Sequence, residues 1–497
     1  MTDTTLKNFG FKHKAGILMP VSSLPSKYGI GSFGSEAYRF VDFLSEAGQK
    51  CWQVLPLNPT SYGDSPYQSP ASIAGNPYYI DLEILSEKGL LTREELVLAE
   101  HDTERVDYGH LFNTRYEILR IAYSRFKPTG AYKAFLMKNE WVEDYSLFMA
   151  IKCANGYRAW YEWDEDERDY GKAKLSASKY EQERGFWRWL QYEFFAQWEA
   201  LLKYAHSKRI VIIGDMPIYV AHDSMDVWRA PDQFMIDDEF KPIIVAGCPP
   251  DAFSDDGQLW GNPIYNWQRM EMNSFKWWRE RVGYAFRLYD ILRIDHFRGF
   301  ASYYAIPYGD ENAKRGSWMK APGIRLFSAI KEDYPNAKII AEDLGYITDD
   351  VRELLRATGF PGMKVLQFAF SNDNNEYLPR MYGDGNCVSY TGSHDSECTK
   401  SWHSSLSPDE RKRFNAECKR NRGESATDAL ITLIMKSCAN LAVIPMQDYL
   451  GLKNSEGRMN TPSVASGNWQ WRLKKSYYRK PLAEKIYALT KSGKRAK

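Results

Sequence analysis

Short apolar runs recur along the chain with amphipathic stretches between them, and eight of these runs have the length and β-branched character of buried strands. They are Gly16–Val21, Trp52–Leu57, Ile210–Asp215, Leu292–His296, Ile339–Asp343, Met363–Phe368, Val388–Asp395 and Asn440–Pro445. Helical periodicity fills several gaps, as over Glu36–Ala47, Ile324–Tyr334, Asp349–Ala357 and Ala426–Ala439. Eight alternations of strand and helix predict an α/β fold, a closed (β/α)8 barrel rather than an open sheet. Runs that are apolar throughout suit parallel strands covered on both faces.

The spacing of the runs is uneven. Between the second and third lie far more residues than a crossover needs, and the helical patterns there (Thr92–His101, Leu111–Phe126, Tyr180–Ala205) predict an inserted helical subdomain over 60–205 on the C-terminal face of the barrel. A second insertion, 223–278, is dense in Pro, Gly and aromatic residues and reads as a loop-rich lid. The whole of 1–497 is then one catalytic domain with two insertions.

Lys plus Arg number 65 against 64 Asp plus Glu, so no strong net field favours nucleic acid or an anionic membrane as partner. The polar start and the lack of any run near about 18 apolar residues point to a cytoplasmic chain with no membrane association. Seven scattered cysteines without a Cys-x-x-Cys pair read as reduced thiols. Aromatic residues reach 15%, a hint of sugar-stacking surfaces, although packing accounts for most of such residues in a chain this long.

Three of the apolar runs end in carboxylates: Asp295, Glu342 and Asp395. Strand ends on the C-terminal face are where a barrel assembles its chemistry, and intervals of 47 and 53 residues leave room for a loop, a helix and a return strand. Two carboxyls in different environments suffice to cleave a glycosidic bond, one ionised and one protonated. Arg293, two residues before Asp295, shares its strand face and favours the ionised form there. Glu342 follows an apolar run that raises its pKa, which suits a proton donor. His394 and Asp395 are placed to grip a sugar. A metal reading of His296, Glu342, Asp343, His394 and Asp395 stays open, but their spacing does not form a recognised ligand pattern.

Leu292–Phe297, Glu342-Asp343 and His394-Asp395 resemble the short signature regions of the α-amylase clan of retaining glycosidases. Further segments resemble, more specifically, the 4-α-glucanotransferases: Pro20–Pro25, Gly63–Pro70, Gly75–Leu82, Gly214–Val220, Pro249–Ser254, Gly257–Pro263, Gly457–Asn460 and Gly467–Trp469. The resemblance runs from about Gly16 to Arg472. It implies double displacement with Asp295 as nucleophile, Glu342 as acid and base, and Asp395 as the group that distorts and stabilises the sugar. It further implies that Arg293, His394, Asp215 and Tyr67 hold that sugar and that Ser65, Phe253, Gln258, Trp260 and Asn460 line neighbouring subsites. Pro217 and Tyr219 stand where the wider clan has an Asn-His pair, and Asn372 falls near an expected acidic subsite position.

The expected enzyme moves a segment of an α-1,4-glucan to the 4-hydroxyl of another glucan or of glucose, with no cofactor, no metal and no obligatory protein partner. A hydrolase differs only in letting water intercept the intermediate, and a non-catalytic glucan-binding barrel is the alternative outside enzyme chemistry.

Overall fold

A computed structural model describes residues 12–250 and 254–496. Twelve strands occur among them: β1 (Lys14–Leu18), β2 (Cys51–Gln53), β3 (Val211–Met216), β4 (Ile244–Cys248), β5 (Gln258–Pro263), β6 (Ile291–Ile294), β7 (Ser302–Pro307), β8 (Ser317–Lys320), β9 (Ile339–Ala341), β10 (Gly362–Val365), β11 (Cys387–Tyr390) and β12 (Leu441–Pro445). Eight of them close into a parallel barrel in the order β1-β12-β11-β10-β9-β6-β3-β2, and these are the eight runs legible in the sequence. Most of their residues are buried on both faces, with Ile213, Ile294, Ile340 and Val443 wholly shielded from solvent, so apolar residues dominate most of the runs without strict alternation.

Helices cover the outside of the barrel. Ser35–Glu46 returns the chain from β1 to β2, Glu181–Ser207 leads into β3, Lys276–Leu288 into β6, Gly323–Asp333 into β9, Asp349–Thr358 into β10 and Ala426–Lys436 into β12. The β10–β11 connection has only two short 3-10 turns, Leu366–Phe368 and Pro379–Met381, so strand and helix alternate less strictly than the sequence pattern suggests.

Between β2 and β3 every regular element is helical, and the longest helix there runs 27 residues from Glu181 to Ser207. Trp160, Trp187, Trp189 and Trp198 are fully buried in this region, and Trp198 ties it to the barrel by donating from Nε1 to Leu288 O at 3.0 Å. Most of the aromatic excess is therefore spent on packing. The segment after β3 differs from the sequence reading, since it forms β4 and β5 instead of loop alone. These strands join β7 and β8 in an antiparallel sheet of order β5-β4-β7-β8. Its strands come from both sides of β6, so no local pattern announces the pairing. No helix among the described residues is long and apolar enough to cross a membrane.

Gly214 marks how tightly β3 is packed where it approaches the barrel mouth. A Cβ at this position would lie 2.1 Å from the buried Tyr289 ring, which cannot withdraw because it sits against the barrel wall. Gly214→Ala is expected to destabilise the protein by about 1–3 kcal/mol, read as a lower urea midpoint at unchanged m-value.

Candidate active site

The C-terminal ends of β3, β6 and β9 bring four functional side chains into one cluster. Asp215 on β3 and Arg293 on β6 are register partners on adjacent strands, so their side chains meet on one face of the sheet. Arg293 Nη1 lies 2.6 and 2.7 Å from the two Asp215 oxygens, and Nη2 donates to Asp295 at 2.9 Å. The Arg293 and Asp215 side chains are 3% and 0% exposed, whereas Asp295 retains 28% and faces the open cleft. Burial works against the Arg293 cation, but Asp215 and then Asp295 override it and hold the guanidinium charged well beyond its ordinary range.

Just past Asp295 the chain turns sharply. His296 adopts the left-handed conformation (φ 50°), which directs its backbone N–H onto Glu342 Oε2 at 2.7 Å. The Leu344 N–H donates to Glu342 Oε1 at 2.8 Å, so each carboxyl oxygen has one fixed backbone donor. Burial, followed by the charge of Asp295, raises the Glu342 pKa to about 7, against the lowering effect of Arg293 and the two amides. The His296 imidazole is itself held neutral, with burial and the nearby Arg298 lowering its pKa to about 3.

Asp395 does not stand at a strand end. β11 stops at Tyr390, and Asp395 lies five residues on in a loop, because Ser393 and Ser396 fold the chain over: Ser393 N donates to Ser396 Oγ at 2.9 Å and Asp395 N to Ser393 Oγ at 3.2 Å. Asn460 Nδ2 donates to Asp395 Oδ1 at 2.6 Å, and His394 Nε2 is 3.3 Å from Oδ2. Burial disfavours both charges, yet the pair wins: His394 is raised above an ordinary imidazole and Asp395 is held well below the usual carboxylate range.

Tyr67 bridges the two halves of the site. Its hydroxyl donates to Asp215 Oδ2 at 2.8 Å and lies 3.4 Å from His394 Nδ1, while its ring stacks on His394 at 5.1 Å and tilts against Trp469 at 5.5 Å. Burial and the Asp215 charge keep it a neutral phenol. Ser65 Oγ accepts the Tyr67 N–H at 3.2 Å and so fixes this turn. On β5, Gln258 Oε1 accepts from Trp260 Nε1 at 3.1 Å, and Trp260 meets the His296 ring edge-on at 4.8 Å. Phe253 lies outside the described residues. Asn372 is exposed and bonds Ser371.

Two contributors went unassigned in the sequence reading although their motifs were visible. Arg458 donates from Nη2 to Asp395 O and from Nε to Asn460 O, and Trp469 backs both Tyr67 and His394. Their place next to Asn460 in the Gly457–Asn460 and Gly467–Trp469 segments was the available signal. Among the described residues no group of three or more His, Cys, Asp or Glu side chains is arranged to hold a metal ion.

A parallel barrel whose mouth holds a partly exposed, Arg-paired carboxylate beside a carboxyl that burial raises to about 7 is the equipment of a carbohydrate-active barrel enzyme. Comparison with known proteins narrows the class. The family model for 4-alpha-glucanotransferase matches residues 19–477. The 4-alpha-glucanotransferase of Clostridium butyricum is 47% identical over 95% of this chain and 99% of its own length. That of Streptococcus pneumoniae is 44% identical over 96% and 97%. Among solved structures, the amylomaltase from Streptococcus agalactiae in complex with acarbose has a TM-score of 0.94 at 40% identity, covering 97% of this chain and all of that one. The chain belongs to the 4-alpha-glucanotransferase family and is an enzyme of that type.

Because the Asp295 charge helps hold the Glu342 proton, removing it should release that proton at lower pH. In Asp295→Asn the Glu342 carboxyl is expected to titrate clearly below about 7, as followed by the 13C shift of its side-chain carbon. A midpoint unmoved or raised would mean that burial alone sets the value.

Proposed function

We propose that this enzyme transfers α-1,4-glucan segments by a double displacement between Asp295 and Glu342. An Asp295 oxygen attacks C1 of the donor sugar, the C1–O4 bond breaks, and the Glu342 proton passes to the departing 4-oxygen. The non-reducing segment is left as an ester on Asp295. In the second step Glu342, now a carboxylate, takes the proton of an incoming 4-hydroxyl whose oxygen attacks C1 and frees Asp295. Two inversions retain the α configuration. Protonation is needed in one step and proton acceptance in the other, which suits a carboxyl raised by burial to about 7; the geometry that carries the reading is Asp295 held by Arg293 at 2.9 Å next to Glu342, whose two oxygens each accept one backbone N–H.

The surrounding groups fit supporting roles. Asp395, oriented by Asn460 and paired with His394, is placed to grip the sugar at the cleaved end. Arg293, Asp215 and Tyr67 form the floor beneath that sugar, and Trp260, Gln258 and Ser65 line the approaches. Asp215, Asp295 and Asp395 outnumber the cations Arg293 and His394, so a sugar developing positive charge at C1 meets a field that favours it. The donors and acceptors are α-1,4-glucans and maltooligosaccharides, consistent with the acarbose complex of the Streptococcus agalactiae amylomaltase. The elements over 60–205 and 223–278 act as the walls of the cleft, the scheme needs no metal or organic cofactor, and the cell interior is the setting that suits a storage-glucan substrate.

The activated donor α-glucosyl fluoride separates the two carboxyl roles, because fluoride leaves without protonation. Glu342→Gln is expected to accumulate a covalent glucosyl adduct that peptide mass spectrometry places on Asp295, while Asp295→Asn forms none. An adduct on any other residue would sink the assignment. Given maltotriose, the native enzyme should yield glucose together with a ladder of longer oligomers, whereas shorter products alone would indicate hydrolysis. Its kcat/KM should fall on the basic side near pH 7 as Glu342 loses its proton, with the limb reporting the coupled pair.

A further inference from the structure

Asp448 is buried at 3% exposure, sits just past β12, and among the described residues has no ion-pair partner. An unpaired buried carboxylate is expensive unless it is saturated with donors. Here three donors converge on it: Thr391 and Thr399 each give a hydroxyl to Oδ2, and the Thr399 N–H donates to Oδ1 at 2.8 Å. Thr391 is the first residue after β11, and Thr399 opens the helix Thr399–Ser405, whose preceding residue Cys398 supplies no side-chain cap. One carboxylate therefore clasps both ends of the loop that carries His394 and Asp395, and also caps the helix that follows.

We infer that Asp448 is a positioning residue for sugar binding, a staple that closes the base of the 391–399 loop and so fixes where Asp395 and His394 stand. The inference rests on the reading of Asp395 given above. The Ser393–Ser396 bonds shape the tip of the loop, and other ties reach outward to separate elements, with Gln367 bonding Glu397 O, Asn454 bonding Cys398 N and Arg458 bonding Asp395 O. Among the described residues, Asp448 is the side chain that bonds both Thr391 and Thr399 and so joins the loop's two ends at its base. Releasing either end lets the loop open about the other, which moves Asp395 relative to the barrel-borne Asp295 without touching Asp295 itself. Because Asp395 acts mainly as charge develops at C1, misplacement should be felt more in kcat than in KM.

Thr391→Val is the informative variant, since it cuts one arm of the staple and leaves the Asp448 carboxyl in place. We expect kcat on maltotriose to fall about tenfold with KM within about twofold, and the His394 imidazole to titrate at lower pH by NMR as its contact with Asp395 loosens. Thr391→Ser, which keeps the hydroxyl, should restore both. Asp448→Asn should change both readouts in the same direction, and if it fails to fold, Thr399→Val takes its place. A folded Thr391→Val whose kcat and His394 midpoint match the native enzyme would overturn the staple, and so would a loss of thermal stability with His394 unmoved. Asp395→Asn run alongside separates the two levels: an inactive Asp395→Asn beside normal threonine variants rejects the staple alone, whereas an active Asp395→Asn rejects the reading beneath it.

Discussion

The buried ion pair between Asp215 and Arg293 is the contact on which the rest of the site is built. Neither side chain sees solvent, and both come from barrel strands whose register places them opposite one another, so their separation is set by the barrel and not by side-chain choice. Breaking such a pair leaves a buried charge uncompensated, at a cost of about 3–5 kcal/mol. Each partner also has a second task that the pairing makes possible. Arg293 extends its other nitrogen to Asp295, and Asp215 accepts the Tyr67 hydroxyl, which carries the order of the barrel outward to His394 and Trp469.

From that pair follows the different character of the two central carboxyls. Asp295 is held beside a cation that cannot leave, while Glu342 on the next strand has only two amide N–H groups and lies within reach of the Asp295 charge. Burial and the Asp295 charge together raise Glu342, while the Arg293 Nη2 is hydrogen-bonded to Asp295. The turn at His296 is part of this device. Its left-handed backbone brings the N–H to Glu342, and its neutral ring adds no positive charge that would lower the Glu342 pKa.

The barrel was legible in the sequence because its strands are buried on both faces, so most positions in the runs from Gly16–Val21 to Asn440–Pro445 are apolar and the runs stand out against their neighbours. Asp295 and Glu342 were legible for the same reason, as charges abruptly ending such runs. The sheet of β4, β5, β7 and β8 was not, because β5 and β8 are largely exposed and the strands pair across the intervening β6, leaving no local signal of the pairing. Asp395 was read as a strand end and is in fact a loop residue. The serine-rich stretch that folds it over resembles polar strand continuation until the Ser393–Ser396 bond is seen. Arg458, Trp469 and Asp448 act through contacts tens to hundreds of residues away in sequence, which spacing cannot reveal.

This division separates what is precise from what is adjustable. Asp215, Arg293, Asp295 and Glu342 take their positions from strand register, where a shift of one residue would turn every side chain to the opposite face, so their geometry is nearly all-or-none. Tyr67, His394, Asp395, Asn460 and Trp260 are carried on four segments outside the barrel strands and are held by polar and ring contacts between those segments and the barrel mouth. Bond cleavage in the donor demands the first kind of order. In the proposed mechanism, whether water or a second sugar receives the segment depends on the second kind, because the loops decide how completely the ester proposed on Asp295 is shielded. A family that keeps one chemistry while varying its acceptors is expected to hold the strand-borne residues fixed and to make its changes in the loops.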